Sequence, residues 1–319
     1  MTSMLTSYST ILVLFIIIAL GYILAKRGIF TNDVSSALSF FVINFALPLE
    51  IFLRIMRDFN KQKLENLFKE SFFPILVICF VLLIGYFSSS LFKVSKEQKG
   101  AFTLCFASPS AAFIGMPIIL GLYGDKGLPY ALLVYVVTSL STWTIGITLL
   151  NRDSELSTHT HTPFDLSRTI KELLSPPIVA FIIASLLVVL NIPLPFFVKS
   201  LFGYIGNTTS ALAMLFIGTT IFRTGIKNLT FSKEVLGILF GRFFITPLIV
   251  LLFAHLFHIS NTMGAICLLQ FSIPVSNTVA ILAGEKHVDV GFTDSSLTYS
   301  LLAYLFLFPI LMKLVTVFF

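Results

Sequence analysis

The sequence predicts an all-α membrane protein, and three observations carry that prediction. Hydrophobic residues make up 56% of its 319 positions and charged residues only 11%, giving a mean hydropathy of +0.97. A soluble domain carries about 25% charged residues to cover its surface, so the solvent expected here is lipid. A hydrocarbon core of ~30 Å needs about 20 mainly apolar helical residues, and that ruler finds ten candidate spans in two groups of five.

The first group is 8–25, 34–55, 71–92, 101–122 and 128–150; the second is 176–192, 197–222, 234–257, 262–284 and 294–317. No basic residue precedes Lys26 and no A-x-A site follows the first apolar run, so 8–25 reads as a retained span and not a cleaved signal. Between the groups lies "NRDSELSTHTHTPFDLSRTIKE", 151–172, where His159 and His161 read as a solvated pair without metal partners. Five spans per half would insert the second half upside down. Three local matches support duplication: Asn44 and Pro48–Leu49 with Asn207 and Ala211–Leu212, Lys69–Glu70 with Lys233–Glu234, and Pro109 with Pro274, at offsets of 163, 164 and 165. The expected organisation is a first five-helix repeat (1–150), a cytoplasmic connector (151–172) and a second, inverted repeat (173–319).

Lys and Arg set the orientation. Twelve lie on the side of the connector and eight on the other, which puts the connector in the cytoplasm of a multi-pass cell-membrane protein and both termini outside. Five of the eight cluster between Arg54 and Lys69 and run against this count; the segment is also expected to form a short interfacial helix. The net charge of +6 reflects this anchoring and implies no nucleic acid.

Two spans carry more polarity than lipid tolerates: "FASPSAAFIGMPIILG" (106–121) in the fourth and "FSIPVSNTVAILAGE" (271–285) in the ninth. Broken backbone at membrane depth survives only inside protein or beside a watery cavity. One proline alone would be a packing kink, but matched breaks in the two halves are the pattern of a site made from discontinuous helices. Ser108 is a good N-cap and Pro109 suits a first helical turn, so a half-helix is expected to restart there. Ser276 or Asn277, after Pro274, caps a half-helix in the other repeat. Two half-helix N-termini at the midplane would favour a small anion, above all a carboxylate. Gly115 is expected to let helices 4 and 9 cross closely.

Among the charges, Arg242 lies about eight residues into the eighth span, roughly 12 Å deep at 1.5 Å per residue. It stays charged there, so it faces substrate, supports the site, or bonds carbonyls freed by a broken span. Pro247 is expected to bend this helix. Glu50 precedes Arg54 by four residues, an order suited to an ion pair and preferred here over proton coupling. Asn44, beside Pro48, and Asn207 are buried polar candidates for supporting the crossing. All seven aspartates fall in expected connectors or span ends, which counts against a cation/proton antiporter. Cys79, Cys105 and Cys267 sit in apolar runs and read as small buried hydrophobes. No HExxH, Walker A or GxSxG signature occurs, and "GLYGDKG" (121–127) is a turn; no catalytic residue, metal or cofactor is expected.

Four segments, "NFALPLEIF" (44–52), "FIGMPIILGLYG" (113–124), "GRFFITPL" (241–248) and "IPVSNTVAILAGEKHVD" (273–289), resemble the auxin efflux carrier family, and the likeness runs through essentially the whole chain. The resemblance implies ten helices in two inverted repeats, broken and crossing fourth and ninth helices, and alternating access between a scaffold and a moving part. It puts Pro109 and Pro274 at the crossing, lined by Ser110, Ser276 and Asn277, and sets Arg242 where the family often has a basic residue before a proline. Ala211 departs from the family's proline in the seventh span. The short connector fits a bacterial permease, and the missing Asn-Pro-Asn pattern separates the chain from the auxin exporters. The expected partners are therefore lipid, a small carboxylate such as malate or malonate, protons as coupling ion, and a second copy in a homodimer. A membrane sensor that binds without transport is the alternative, disfavoured by the lack of a soluble output domain; an intramembrane enzyme is disfavoured by the missing nucleophile.

Overall fold

The computed structural model describes residues 13, 16–158, 170, 174, 176–224, 231–286 and 288–319. The start of the first expected span and most of the connector, including His159 and His161, lie outside the described residues.

The regular elements of the described residues are all helices, and no strand occurs among them. Helix α1 (Ile16–Lys26) is followed at Gly28 by a φ of 74°, a left-handed turn that glycine adopts without strain. Next come α2 (Asn32–Phe41), capped by Thr31, and α3 (Leu47–Asp58). Two residues separate α3 from α4 (Lys61–Glu70), which leads into α5 (Phe72–Leu91). The basic segment is thus partly the end of α3 and partly a helix of its own. Helices α6 (Lys99–Ala107) and α7 (Met116–Tyr123) fall in the fourth expected span, and α8 (Leu128–Ser141) and α9 (Ile147–Thr158) in the fifth. Beyond the connector run α10 (Pro176–Val189), α11 (Phe196–Gly206), α12 (Thr209–Thr224), α13 (Lys233–Phe240) and α14 (Thr246–Leu256). Finally α15 (Asn261–Phe271) and α16 (Asn277–Glu285) fall in the ninth expected span, and α17 (Val290–Phe318) follows.

Among the described residues, six continuous helical stretches are long and apolar enough to cross a membrane: Asn32–Arg57, Leu64–Leu91, Leu128–Ser157, Phe196–Arg223, Lys233–Leu256 and Gly291–Phe318. Helices α1 and α10 are apolar but shorter.

Single π turns account for three of the prolines. They occupy Val42–Ala46, Ala111–Gly115 and Gly241–Ile245, and Pro48, Pro117 and Pro247 each follow the last π residue by two. Proline has no N–H and its ring crowds the carbonyl four residues back. Widening the preceding turn gives that carbonyl room without ending the helix. Before Pro247 the π turn is closed by Thr246, which donates its backbone N–H and, at 3.0 Å, its hydroxyl to Gly241 O.

The chain divides into two compact units, each drawing on both sides of the connector. The first contains described residues of Met1–Lys69, Ala112–Leu132 and Leu174–Gly225; the second those of Glu70–Ala111, Leu133–Leu173 and Ile226–Phe319. In the first, α3 packs on α10 and α11, and α1 meets α12 so closely that a Cβ on Gly21 or Gly218 would strike the opposing backbone. Ser35 and Thr219 share a buried hydroxyl hydrogen bond of 2.8 Å across α2 and α12. In the second unit α6 is the centre. Every residue from Gly100 to Ala107 is buried, as expected of a helix apolar all round, and α5, α9, α13, α16 and α17 pack against it.

Candidate functional site

Helix α6 carries a buried charge at each end, and this arrangement builds the site. At its N-terminus Asp153, 1% exposed, accepts from Gly100 N at 3.0 Å and Ala101 N at 2.8 Å. At its C-terminus Arg242, fully buried, donates through Nη1 to Cys105 O at 3.1 Å and Phe106 O at 2.9 Å. A carboxylate on the free N–H groups and a guanidinium on the free carbonyls both oppose the helix macrodipole. Gly241 permits the close approach, because a Cβ there would collide with the Phe106 ring. Asp153 was expected in the connector; α9 instead continues through it. Arg242 takes the geometry of an arginine bonded to freed carbonyls, while its Nε and Nη2 have no partner among the described residues.

Where α6 ends, the chain becomes extended and pairs with the second break. Pro109 and Val275 form an isolated antiparallel bridge, with Ser110 N donating to Pro274 O at 3.0 Å and Ser276 N to Ser108 O at 3.1 Å. Val275 N donates to the Ser300 hydroxyl of α17 at 3.0 Å. Pro109 and Pro274 have no N–H to satisfy, so the proline-bearing segments can be extended and buried with their donors accounted for.

The local reading of Ser108 is corrected. Ser108 is the C-cap of α6 and not the N-cap of the next half-helix; its hydroxyl shares a 3.0 Å hydrogen bond with Thr142. Helix resumes only at Ala111, in a π turn. The second break behaves as expected: Ser276 caps α16, its hydroxyl accepting from Thr278 N at 3.3 Å. Ser108, Ser110 and Ser272 are buried, whereas Ser276, Asn277 and Thr278 are only half-buried. Beside the bridge, the more accessible residues are therefore those of the first turn of α16.

The remaining candidates divide between the units. Pro274 lies with Pro109 at the bridge, but Gly115 ends the following π turn, six residues past Pro109 and inside the first unit. The two breaks pair through their main chains at the Pro109–Val275 bridge. Asn44 is half-buried and donates to Phe40 O of its own helix at 2.9 Å, and Pro48 is the buried proline after the first π turn. Asn207 is exposed as the C-cap of α11, contrary to the expectation of burial. Glu50 forms the expected ion pair with Arg54, at 3.4 Å, and with Asn207 lines a cavity of about 640 Å³ in the first unit. Cys105 and Cys267 are buried, but Cys79 is exposed on α5 beside Phe80, itself exposed.

Sequence reasoning missed Asp153 and the buried hydroxyl row Thr293, Ser296 and Ser300 on α17. Each is hydrogen-bonded to a carbonyl one turn back, at 3.5, 2.8 and 2.7 Å, which lets polar residues face a packed interior. The segment "TDSSLTYS" (293–300) was the available signal. Among the described residues no group of His, Cys, Asp and Glu could hold a metal ion.

Long apolar helices and main-chain pairing between two interrupted ones define a polytopic α-helical membrane protein. More particularly, the chain belongs to the membrane transport protein family, the auxin efflux carrier family that its motifs resemble; the family model matches residues 6–312. This is a family of membrane transporters, not of enzymes. The chain is similar to the uncharacterized transporter YfdV of Escherichia coli strain K12, at 26% identity over 94% of this chain and 95% of that protein. It is also similar to the uncharacterized transporter MJ1031 of Methanocaldococcus jannaschii, at 24% identity over 92% and 94%. An uncharacterized transporter of Methanothermobacter thermautotrophicus matches at 25% identity over 95% and 97%.

Proposed function

We propose that this chain is a secondary carrier of small organic anions, of the size and charge of malate or malonate, working by alternating access in the cell membrane. The proposed topology is ten spans in two inverted repeats, with both termini outside and the anion bound where the fourth and ninth helices cross. The observation that carries this reading is the half-open first turn of α16. There Ser276 caps a helix N-terminus, the adjoining backbone is fixed by the Pro109–Val275 bridge, and Asn277 and Thr278 remain partly accessible. Such a terminus presents N–H groups and partial positive charge to a carboxylate.

In this reading Asn277 and the α16 N–H groups bind the anion, Ser276 and Ser110 shape the crossing, and Arg242 is a positioning residue. Its charge adds to the positive field, and its bonds to Cys105 O and Phe106 O hold the end of α6 in place. Asn44 and Pro48 shape a helix of the first unit. Protons as coupling ion and a homodimeric assembly belong to the same proposal.

The test is uptake of radiolabelled malate and malonate into sealed proteoliposomes, with and without a pH gradient. Saturable uptake that depends on the protein supports a carrier. Binding of either acid in detergent without flux into vesicles would overturn it in favour of a sensor, and neither binding nor flux would reject this substrate class.

A further inference from the structure

The first unit holds a second site, independent of the crossing. Its cavity of about 640 Å³ is within the ~300–1,000 Å³ of small-ligand sites. It runs along α3 from Glu50 to Arg57, past the end of α10 and the loop that follows, and along α11 from Lys199 to its C-cap Asn207. Its cations Arg57 and Lys199 lie near the end of α3 and the start of α11, where a membrane protein meets the headgroup layer. Its lining has two characters. Leu53, Met56, Leu187, Ile192 and Leu194 form apolar walls, while Arg54, Arg57 and Lys199 supply three cations against one carboxylate, Glu50.

Glu50 is 6% exposed; its Oε1 pairs with Arg54 Nη2 at 3.4 Å, while Oε2 has no hydrogen-bond partner among the described residues. The nearby Thr209 hydroxyl is already given to Gly206 O at 2.7 Å. The cavity lining therefore carries three cations and one carboxylate, an acceptor oxygen with no hydrogen-bond partner among the described residues, and apolar walls. Between the lining residues Leu194 and Lys199 in sequence, two large apolar side chains stand exposed on the first turn of α11, Phe196 at 84% and Phe197 at 73%. Two of these cations, Arg54 and Arg57, belong to the Arg54–Lys69 cluster that runs against the charge count of the topology. Transport at the crossing gives that cluster no role.

We propose that this cavity binds the headgroup of an anionic glycerophospholipid. Arg57 and Lys199 hold the phosphodiester, Glu50 accepts from a headgroup hydroxyl, and the apolar walls take the start of the acyl chains. Basic pockets between membrane helices bind such headgroups, and arginine suits phosphate because its donors form a planar fork. A phosphodiester alone would engage Arg57 and Lys199, but it would leave the apolar walls and Glu50 Oε2 unused.

The test measures binding to the detergent-purified full chain of three probes: palmitoyl-oleoyl phosphatidylglycerol, the corresponding phosphatidylcholine, and glycerol 3-phosphate. Phosphatidylglycerol is expected to bind at least tenfold more tightly than either of the others. Arg57→Ala with Lys199→Ala is expected to weaken it about 30-fold, the effect of two lost interfacial cations, and to leave phosphatidylcholine unchanged. Both side chains are exposed, so the variant should fold. Lys61→Ala with Lys69→Ala, equally neutralising but outside the cavity, is expected to change binding less than threefold. Equal affinity for the two lipids, or an equal loss in both double variants, overturns the site. Glycerol 3-phosphate binding as tightly as the lipid would replace it with a soluble-anion site. No flux is measured here, so this test and that of the carrier fail separately.

Discussion

Replacing Asp153 by Asn is the sharpest probe of how the second unit is held together. The two carboxylate oxygens each accept from one backbone N–H, Gly100 at 3.0 Å and Ala101 at 2.8 Å, with the residue 1% exposed. Asparagine keeps one acceptor and turns an –NH₂ toward the other N–H, donor against donor. A lost hydrogen bond to a charged group costs ~1.5–3 kcal/mol, and stranding a buried donor costs ~1–3 kcal/mol. The helix N-terminus loses a further ~0.3–1 kcal/mol of charge–dipole attraction. The first two overlap, so the expected destabilisation is about 3–5 kcal/mol. At ~2 °C per kcal/mol for a large chain, the apparent melting temperature should fall by about 6–10 °C. Circular dichroism of detergent-purified protein reads this directly, with the exposed Glu97→Gln as the control for charge loss. A shift within about 1 °C of wild type would refute the claim that Asp153 anchors α6.

Three further substitutions follow from the same packing. Gly241→Ala forces a Cβ into the Phe106 ring and should cost ~1–3 kcal/mol of overpacking, with Phe106→Leu restoring part of the loss in the double variant; no rescue would mean the clash is not the cause. Ser276→Ala removes the cap of α16 and should destabilise by about 1 kcal/mol, whereas Ser276→Gly should cost only a few tenths, a contrast readable in thermal melts. The Ser35–Thr219 pair should show a coupling of about 0.6 kcal/mol in a double-mutant cycle with alanine, the usual size for hydroxyl pairs between membrane helices.

Much of the fold was legible because hydrocarbon imposes a length and a composition on each span. The breaks were legible too: Pro109 and Pro274, set among serines in oily surroundings, mark where helix gives way to extended backbone. What local reading missed depends on partners distant in sequence. Ser108–Pro109 has the form of an N-cap, but the Ser108 carbonyl is claimed by Ser276 N and its hydroxyl by Thr142, so the serine ends a helix instead of starting one. Asp153 lay in a polar stretch, and nothing in that stretch reveals that α6 turns two backbone N–H groups toward it. Asn207 looked buried because apolar residues surround it in sequence, yet it faces outward at the end of α11. Hydropathy has no mark for a π turn, although a proline two residues beyond it marks three of those seen here.

The central claim is that an anion binds at the first turn of α16, and Asn277→Asp tests it most directly. Asn277 is the first residue of that helix. An aspartate there should stabilise the fold by ~0.3–1 kcal/mol through the helix dipole, while its charge occupies and repels the proposed site. The measurement is malate and malonate uptake by this variant in proteoliposomes, beside its melting temperature. The account predicts a protein at least as stable as wild type whose anion uptake falls by tenfold or more. Undiminished uptake by the folded variant would contradict it.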